Sequence, residues 1–141
     1  MNEQIISRAG EIIAGKNGGG NEGYCTLSLI DNDGYPTAST ISVSKSDGIN
    51  WITFCTGFYG NKPNRISKNN RASICFNSED YNITLVGTIA VITDPVIKKE
   101  MWYEGLSNHY NGPEDSDYCV LRFHTEHYNL LIDWKEARGK L

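Results

Sequence analysis

A series of short strand-like segments joined by tight turns is the feature that most limits how this chain can fold. Residues 24–30 (YCTLSLI) are rich in β-forming side chains, and Asp31-Asn32-Asp33-Gly34 follows as a hairpin turn. Residues 35–44 and 50–55 continue the pattern on either side of a second turn, Ser46-Asp47-Gly48. Because parallel strands need a crossover of about a dozen residues or more, turns this short favour antiparallel neighbours. We therefore predict an antiparallel meander rather than a parallel α/β sheet.

The second half of the chain continues the β-rich pattern. Residues 128–134 fit either a seventh strand or a short helix, and Gly87 is expected at a bulge. No repeat or linker interrupts the sequence, so residues 1–141 are expected to form a single domain. Further strands are predicted at 71–76, 81–93 and 118–124.

Short helices are predicted between these strands. Apolar residues at helical spacing predict a helix over 2–15, which the glycines from Gly18 onward end. Pro63 and Pro95 suit the first position of a helix and predict two more, over 63–69 and 95–102. The whole pattern predicts a mainly β fold with some α structure, a small antiparallel barrel or sandwich decorated by helices.

Charge and hydropathy limit the classes of function. The 141 residues include 13 Lys and Arg against 17 Asp and Glu, a net charge of -4. Because nucleic-acid binding needs a dense field of cations, nucleic acid is not expected as a partner. No apolar run reaches the roughly 18 residues of a membrane span, and the N-terminus does not read as a signal peptide. We therefore expect no membrane partner and a cytoplasmic location.

The four cysteines, Cys25, Cys55, Cys75 and Cys119, are far apart in the sequence. Two disulfides are conceivable in a secreted chain, but without a secretion signal we expect free thiols in a reducing compartment. No Cys lies two to four residues from another Cys or a His, so no metal site is expected.

Residues 51–65 (WITFCTGFYGNKPNR) form the segment that most suggests a ligand site. A predicted strand ends at Thr56, and a glycine-bounded loop leads through Asn61 and Lys62 into the helix at Pro63. A helix N-terminus offers free N–H groups and a partial positive charge, to which Lys62 adds a full charge and Thr56 a hydroxyl. Together these groups can hold a phosphate, although an ordinary solvated lysine at such a junction has the same pattern.

The histidines carry a weaker signal. His124 and His127 lie near a predicted strand end and fit surface or strand-edge residues. His109 lies in the polar segment 105–117 beside Tyr110, where a loop hydrogen-bonding role is favoured over that of a catalytic base.

The order of motifs over residues 34–76 resembles the flavin-binding core of the pyridoxamine 5′-phosphate oxidase-like split-barrel family. The matching motifs are Gly34-Tyr35-Pro36, Lys45, Phe54-Cys55-Thr56, Asn61-Lys62 and Asn69-Asn70-Arg71-Ala72. Residues 101–121 are similar to the general stress protein-type branch, with Trp102, Tyr110-Asn111-Gly112, Asp115-Ser116-Asp117-Tyr118 and the strand that follows. The resemblance covers residues 3–133. It implies a six- to seven-stranded antiparallel split β-barrel with two to four short helices.

The resemblance also implies a function and a site. The cofactor is FMN, held at the interface of a homodimer, and the partner is a small redox molecule such as NAD(P)H. On the substrate side the resemblance points to Lys45, Trp102 and His109. The implied FMN contacts are Thr40, Ile41, Ser42, Val43, Cys55, Thr56, Asn61, Lys62 and Asn82.

Departures from the family pattern argue against vitamin oxidase activity. Thr40 stands where the oxidases have Arg, and Asn61 stands where they often have Arg. The residues after Trp134 lack the Arg-x-His-x-Arg segment that grips the vitamin phosphate in the oxidases. The chain is therefore expected to be an FMN-dependent oxidoreductase of another kind. The alternatives are a non-enzymatic binder of flavin, deazaflavin or haem in the stress response, with His109 or His124 as a haem ligand, and a structural dimer.

Overall fold

Strands form where apolar and polar side chains alternate, and helices form at the breaks in that alternation. The computed structural model describes residues 2–20 and 22–141. Its strands are β1 (Tyr24–Ile30), β2 (Pro36–Asp47), β3 (Trp51–Gly57), β4 (Arg71–Asn77), β5 (Tyr81–Ile92), β6 (Tyr118–Ile132) and β7 (Lys135–Lys140). Its helices are α1 (Asn2–Ala14), α2 (Asn61–Lys68) and α3 (Pro95–Met101), followed by a 3₁₀ turn at Glu104–Asn108.

The strands close into a barrel. Their order is β3-β2-β1-β4-β5-β6-β7, every pairing is antiparallel, and β3 also pairs with β6. The β3–β6 pairing closes six strands into a ring and leaves β7 outside it, paired with β6 alone. Closure gives each of the six barrel strands two neighbours, so that none is left as an open edge. The predicted class, a mainly β antiparallel barrel with a few short helices, is confirmed.

Near the C-terminus the predicted boundaries are wrong. Residues 118–124 and 128–134 were predicted as separate elements, but they belong to the single strand β6. The exposed polar residues between them, Glu126 and His127, interrupt the apolar pattern of the continuous strand because β6 is solvated there. Asp133 and Trp134 form the turn to β7 with φ values of 51° and 67°. The sequence of β7, KEARGK, has only Ala137 buried and so carries no strand alternation of its own.

Other local predictions fare better. The expected bulge at Gly87 is confirmed, since the β5–β6 register shifts between Val86 and Gly87. A Cβ atom at Gly87 would lie 1.9 Å from the carbonyl oxygen of His124, so only glycine fits. Helix α2 begins at Asn61, two residues before its predicted start, which makes Pro63 its third residue. Pro63 is still tolerated because the N–H groups of the first helical turn have no partner within the helix.

Two apolar clusters organise the molecule. The barrel interior is filled by inward-facing side chains, with α1 packed onto it through Ile5, Ala9 and Ile13. The second cluster lies outside the barrel, where α3 and the 3₁₀ turn cover part of β3, β5 and β6. Met101, Leu106, Tyr118 and Val120 are its buried members. This outer cluster positions the candidate site.

Candidate functional site

Four aromatic side chains form a wall over the outer face of β3. Trp102, Tyr103, Tyr110 and Tyr118 come from the end of α3, the segment after it and the start of β6. The Trp102 and Tyr118 rings meet edge to face at 5.2 Å, and the Tyr110 ring lies 5.6 Å from that of Tyr118. Tyr118 is fully buried, and its hydroxyl donates a 2.6 Å hydrogen bond to the carbonyl of Lys98. We call these four residues the aromatic wall.

Hydrogen bonds fix the aromatic wall to the barrel at Met101. The Ser44 hydroxyl on β2 donates to the Met101 carbonyl at 2.6 Å, and the Cys55 thiol on β3 donates to the same oxygen at 3.6 Å. Cys55 Sγ also lies 3.6 Å from the hydroxyl of Tyr118. The Met101 carbonyl thus ties the base of the aromatic wall to two adjacent strands of the barrel.

Burial keeps the Cys55 thiol and the Tyr103 hydroxyl in this region protonated near pH 7. Burial raises the pKa of the Cys55 thiol, and hydrogen bonds with Tyr118 and Ser44 offset only part of that rise. Burial and the nearby Cys55 raise the pKa of Tyr103, against which a hydrogen bond with Ser42 acts. A protonated thiol is not a nucleophile, so Cys55 presents a small apolar surface there.

The implied FMN contacts on β2 divide between two faces. Thr40 and Ser42 are exposed on the outside of the barrel, whereas Ile41 and Val43 are buried within it. Ile41 and Val43 therefore have only backbone atoms to offer a ligand on the outer face. The pairing of Val43 with Phe54 brings the neighbouring Ser42 and Cys55 alongside each other. The structure thus joins Ser42 and Cys55 beside the aromatic wall.

The start of α2 is open to an anion. Gly60 is the N-cap residue, and none of the described side chains caps the helix there. The first two helical residues, Asn61 and Lys62, keep backbone N–H groups without a partner inside the helix. Lys62 is half-buried and Asn61 is exposed, and Thr56 is half-buried near the end of β3. The three residues implied for the phosphate end therefore lie close together along the chain, on either side of residues 57–60.

A polar groove of about 480 Å³ runs between α2 and the β1–β2 hairpin. Arg65 donates to the Thr37 hydroxyl at 3.0 Å, and Lys68 donates to the Asn32 side chain at 3.2 Å. Asn61 lines the same groove. Sequence reasoning assigned no site role to Arg65. The signal for it was its spacing, because positions 61, 65 and 68 share one face of a helix.

Asn82 belongs to another part of the surface, whereas Thr40 lies on the same exposed face of β2 as Ser42, two residues away. Thr40 pairs with Thr26 on β1, and Thr26 pairs with Cys75 on β4. The Asn82 side chain accepts a hydrogen bond from Cys75 at 3.5 Å and donates one to Thr84 at 3.2 Å. The hydrogen bonds of Asn82 thus lead to β4 and β5 and not to the aromatic wall or α2.

The implied substrate-side residues are also dispersed. Trp102 belongs to the aromatic wall, and the exposed ring of His109 lies edge-on to Tyr110 at 6.3 Å. Lys45 is exposed on β2, where the register with β3 shifts between Val43 and Ser46. The structure therefore places Trp102 and His109 on one side of the candidate site and Lys45 at its edge.

The chain forms a closed antiparallel barrel, with a helix after the third strand and an aromatic segment across the outer face. These features define a split-barrel protein, the class that the motifs resemble. The family model described as pyridoxamine 5′-phosphate oxidase matches residues 20–131. The chain belongs to the pyridoxamine 5′-phosphate oxidase family.

Solved structures share this fold across nearly the whole chain. A Clostridium acetobutylicum protein related to general stress protein 26 has a TM-score of 0.82 at 23% identity, covering 100% of this chain and 96% of its own. A pyridoxamine 5′-phosphate oxidase-related, FMN-binding protein from Nostoc punctiforme has a TM-score of 0.71 at 13% identity, covering 93% and 94%. A heme-binding protein from Mycobacterium smegmatis has a TM-score of 0.71 at 16% identity, covering 96% and 57%. At these identities the likeness establishes the fold.

No curated protein sequence matches this chain. In the described ranges, no helix combines the length and apolar character needed to cross a membrane.

Proposed function

We propose that this protein is an FMN-binding oxidoreductase that acts on a small molecule. The observation that carries the proposal is the aromatic wall beside Ser42 and Cys55. Cys55 lies on β3, the strand that leads to the uncapped start of α2. A flat apolar surface suits an isoalloxazine ring, and an uncapped helix start with a lysine suits a phosphate. Family membership adds independent support.

The phosphate end of FMN is assigned to the start of α2. The backbone N–H groups of Asn61 and Lys62 and the Lys62 ammonium offer charge-assisted hydrogen bonds to phosphate oxygens. Arg65 and Lys68 line the groove on the same side of the helix as Asn61. These two cations offset the arginines that the oxidases carry where this chain has Thr40 and Asn61.

The ring end is assigned to the outer face of β2 and β3. Backbone groups near Ser42, together with its hydroxyl, offer polar contacts at the ring edge, and Cys55 and the aromatic wall offer the apolar surface. When bound, FMN supplies the capacity to accept and donate a hydride. The chain's own residues orient the ring and exclude water, since Cys55 and the rings of the aromatic wall present apolar surface.

A homodimer completes this account of the site. Trp102, Tyr103 and Tyr110 are only half-buried in a single chain, and Asn82 lies on another part of the surface, against Cys75. A two-fold axis gives each site residues from both copies, and two-fold dimers are the commonest oligomers. We assign Asn82 to the cofactor of the second copy. A reducing compartment, the cytoplasm, agrees with the four cysteines being free thiols in the described ranges.

Vitamin oxidase activity is not part of the proposal. Thr40 offers no charge to a substrate phosphate, and Arg138 on β7 is already paired with Glu136. Each missing charge-assisted hydrogen bond costs about 1.5–3 kcal/mol. We therefore assign another small substrate, with NAD(P)H as the electron donor.

A haem-binding role is the second candidate. The specific observation behind it is the exposed His109 at the rim of the aromatic wall, and a heme-binding protein is among the structural neighbours. An imidazole there is available as an axial ligand.

Visible absorption distinguishes these functions. The purified chain is mixed with excess FMN or hemin, the excess is removed on a desalting column, and the spectrum is recorded. We expect retained flavin bands in the blue and near-ultraviolet and no retained Soret band. A retained Soret band that His109→Ala abolishes would instead support the haem role, and retention of neither cofactor would leave a structural dimer.

A further inference from the structure

An arginine stacked on a tryptophan stands on the outer face of the barrel beyond the aromatic wall. Arg122 on β6 places its guanidinium carbon 4.7 Å from the ring centre of Trp51 on β3. Its strand neighbours are Thr53 on one side and Ala90 on the other. Stacking on an indole fixes the plane of a guanidinium and so reduces the entropy that it loses on binding a ligand.

The hydrogen-bonding capacity of this guanidinium is not satisfied within the described residues. Arg122 Nε is buried and has no hydrogen-bond partner there. The ion pairs of residues 2–20 and 22–141 are Arg8 with Glu11 and Arg138 with Glu136. No described carboxylate therefore neutralises Arg122. A buried donor without a partner costs about 1–3 kcal/mol. Because Nε itself is buried, an external acceptor would bind the terminal N–H groups of the same guanidinium.

The strand positions around Arg122 and Trp51 carry one lysine, one histidine and one acid. Thr53, the β3 neighbour of Arg122, exchanges hydrogen bonds with the backbone N–H and carbonyl of Lys45 at 3.1 and 3.3 Å. His124 pairs with Trp51 across the strands and is exposed. The one acid on the neighbouring strand positions, Asp47, accepts a hydrogen bond from Asn50 at 3.5 Å.

We propose that Arg122 and Trp51 form an oxyanion-binding site for a small molecule that carries a carboxylate or phosphate group. The guanidinium presents a planar fork of N–H donors that matches two oxygens of either group, and the indole holds that fork in place. Lys45 adds long-range attraction from the edge of the site. This site goes beyond the proposed FMN contacts and uses none of them.

Its position relates it to the candidate flavin site. Thr53 lies two residues from Cys55 on β3, about 7 Å along the strand. The Thr53 hydroxyl also contacts Met101 Sδ at 3.3 Å, at the base of the aromatic wall. An anion held by Arg122 is therefore adjacent to the surface assigned to the flavin ring, and this part of the inference alone rests on the proposed function.

The test is an anion titration of the full-length chain without added FMN. Arginine Nε–H signals are followed by ¹H–¹⁵N NMR while inorganic phosphate or benzoate is added, with benzamide and sodium chloride as neutral and salt controls. We expect a saturable shift of the Arg122 signal with at least one of the two anions, and which of them saturates it decides between phosphate and carboxylate. Failure of both to saturate it overturns the site.

Two variants sharpen the result. Arg122→Lys keeps the charge but loses the planar fork of N–H donors. We expect about tenfold weaker anion binding, which corresponds to ~1.4 kcal/mol. Binding to this variant is followed at the indole N–H signal of Trp51. Arg71→Lys, at an exposed position on β4, is the matched control and is expected to bind as the parent does. Trp51→Phe keeps a ring under Arg122 and is expected to weaken binding less. Equal binding by Arg122→Lys and the parent, in folded protein, overturns the assignment. Because FMN is absent, failure of flavin binding would leave this result unaffected.

Discussion

At the scale of single residues, burial controls the chemistry of the thiols. Cys25 faces the barrel interior, and burial, reinforced by the nearby Cys75, raises its pKa to about 12. Burial and the nearby Cys55 likewise raise the pKa of Cys119 to about 11. Near neutral pH both groups are protonated and function as small core side chains.

The raised pKa of Cys25 predicts a loss of stability at high pH. Its folded pKa lies above the unfolded value of about 9, so the folded state keeps a proton that the unfolded state releases. Its contribution is fully present below pH 9 and falls between pH 9 and 12, by up to ~1.4 kcal/mol per pH unit. Urea unfolding from pH 8 to 10.5 should show a shallower decline for Cys25→Ala than for the parent. Parallel declines would contradict this assignment.

Lys62 is the residue on which the phosphate assignment depends most. Lys62→Ala removes one charge-assisted hydrogen bond and should weaken FMN binding by ~1.5–3 kcal/mol, roughly 10- to 150-fold. Fluorescence quenching of FMN gives the affinity. Lys135→Ala, at an exposed position on β7, is the matched control and should bind FMN as the parent does. Equal affinities for the two variants would remove Lys62 from the site.

At the scale of elements, the sequence predicted most where local signals were strong. The bounds of β1 and the bulge at Gly87 followed from alternation and from one glycine. Strand β7 was missed because pairing with β6, and not its own composition, makes it a strand. The contacts of Ser44 with Met101, 57 residues apart, and of Tyr118 with Lys98 depend on how α3 crosses the barrel, which no local pattern encodes.

The aromatic wall should depend on the Tyr118 hydroxyl. Tyr118→Phe removes its hydrogen bond to Lys98 and leaves that buried carbonyl with one acceptor site unfilled, so we expect a loss of ~1–3 kcal/mol in the free energy of unfolding. Tyr35→Phe, with Tyr35 68% exposed, is the control and should change stability by less than ~0.5 kcal/mol. Urea denaturation measures both. Equal effects would mean that the hydroxyl does not anchor the wall.

At the scale of the whole molecule, the barrel leaves its proposed cofactor residues on separate surfaces. Ser42 and Cys55 lie beside the aromatic wall, whereas Asn82 bonds with Cys75 on β4. Under the proposed function, a second copy of the chain supplies the groups that one chain keeps apart. Because of this dispersion, sequence motifs identified the candidate residues one by one but did not predict how they are arranged around a single ligand.

The dimer follows as a prediction. Analytical ultracentrifugation should give about twice the chain mass of 15.8 kDa, and dilution to monomer should release the flavin. A mass near 15.8 kDa at micromolar concentration, with FMN retained, would contradict a shared cleft.

The most direct test of the central claim is a paired calorimetric titration of cofactor-free protein with FMN and with riboflavin, which differ only in the phosphate. The account predicts saturable binding of one FMN per chain and at least tenfold weaker binding of riboflavin, since riboflavin forgoes the contacts at α2. Equal affinity for the two would contradict the phosphate site at Lys62. Binding of neither would contradict the flavoprotein assignment as a whole.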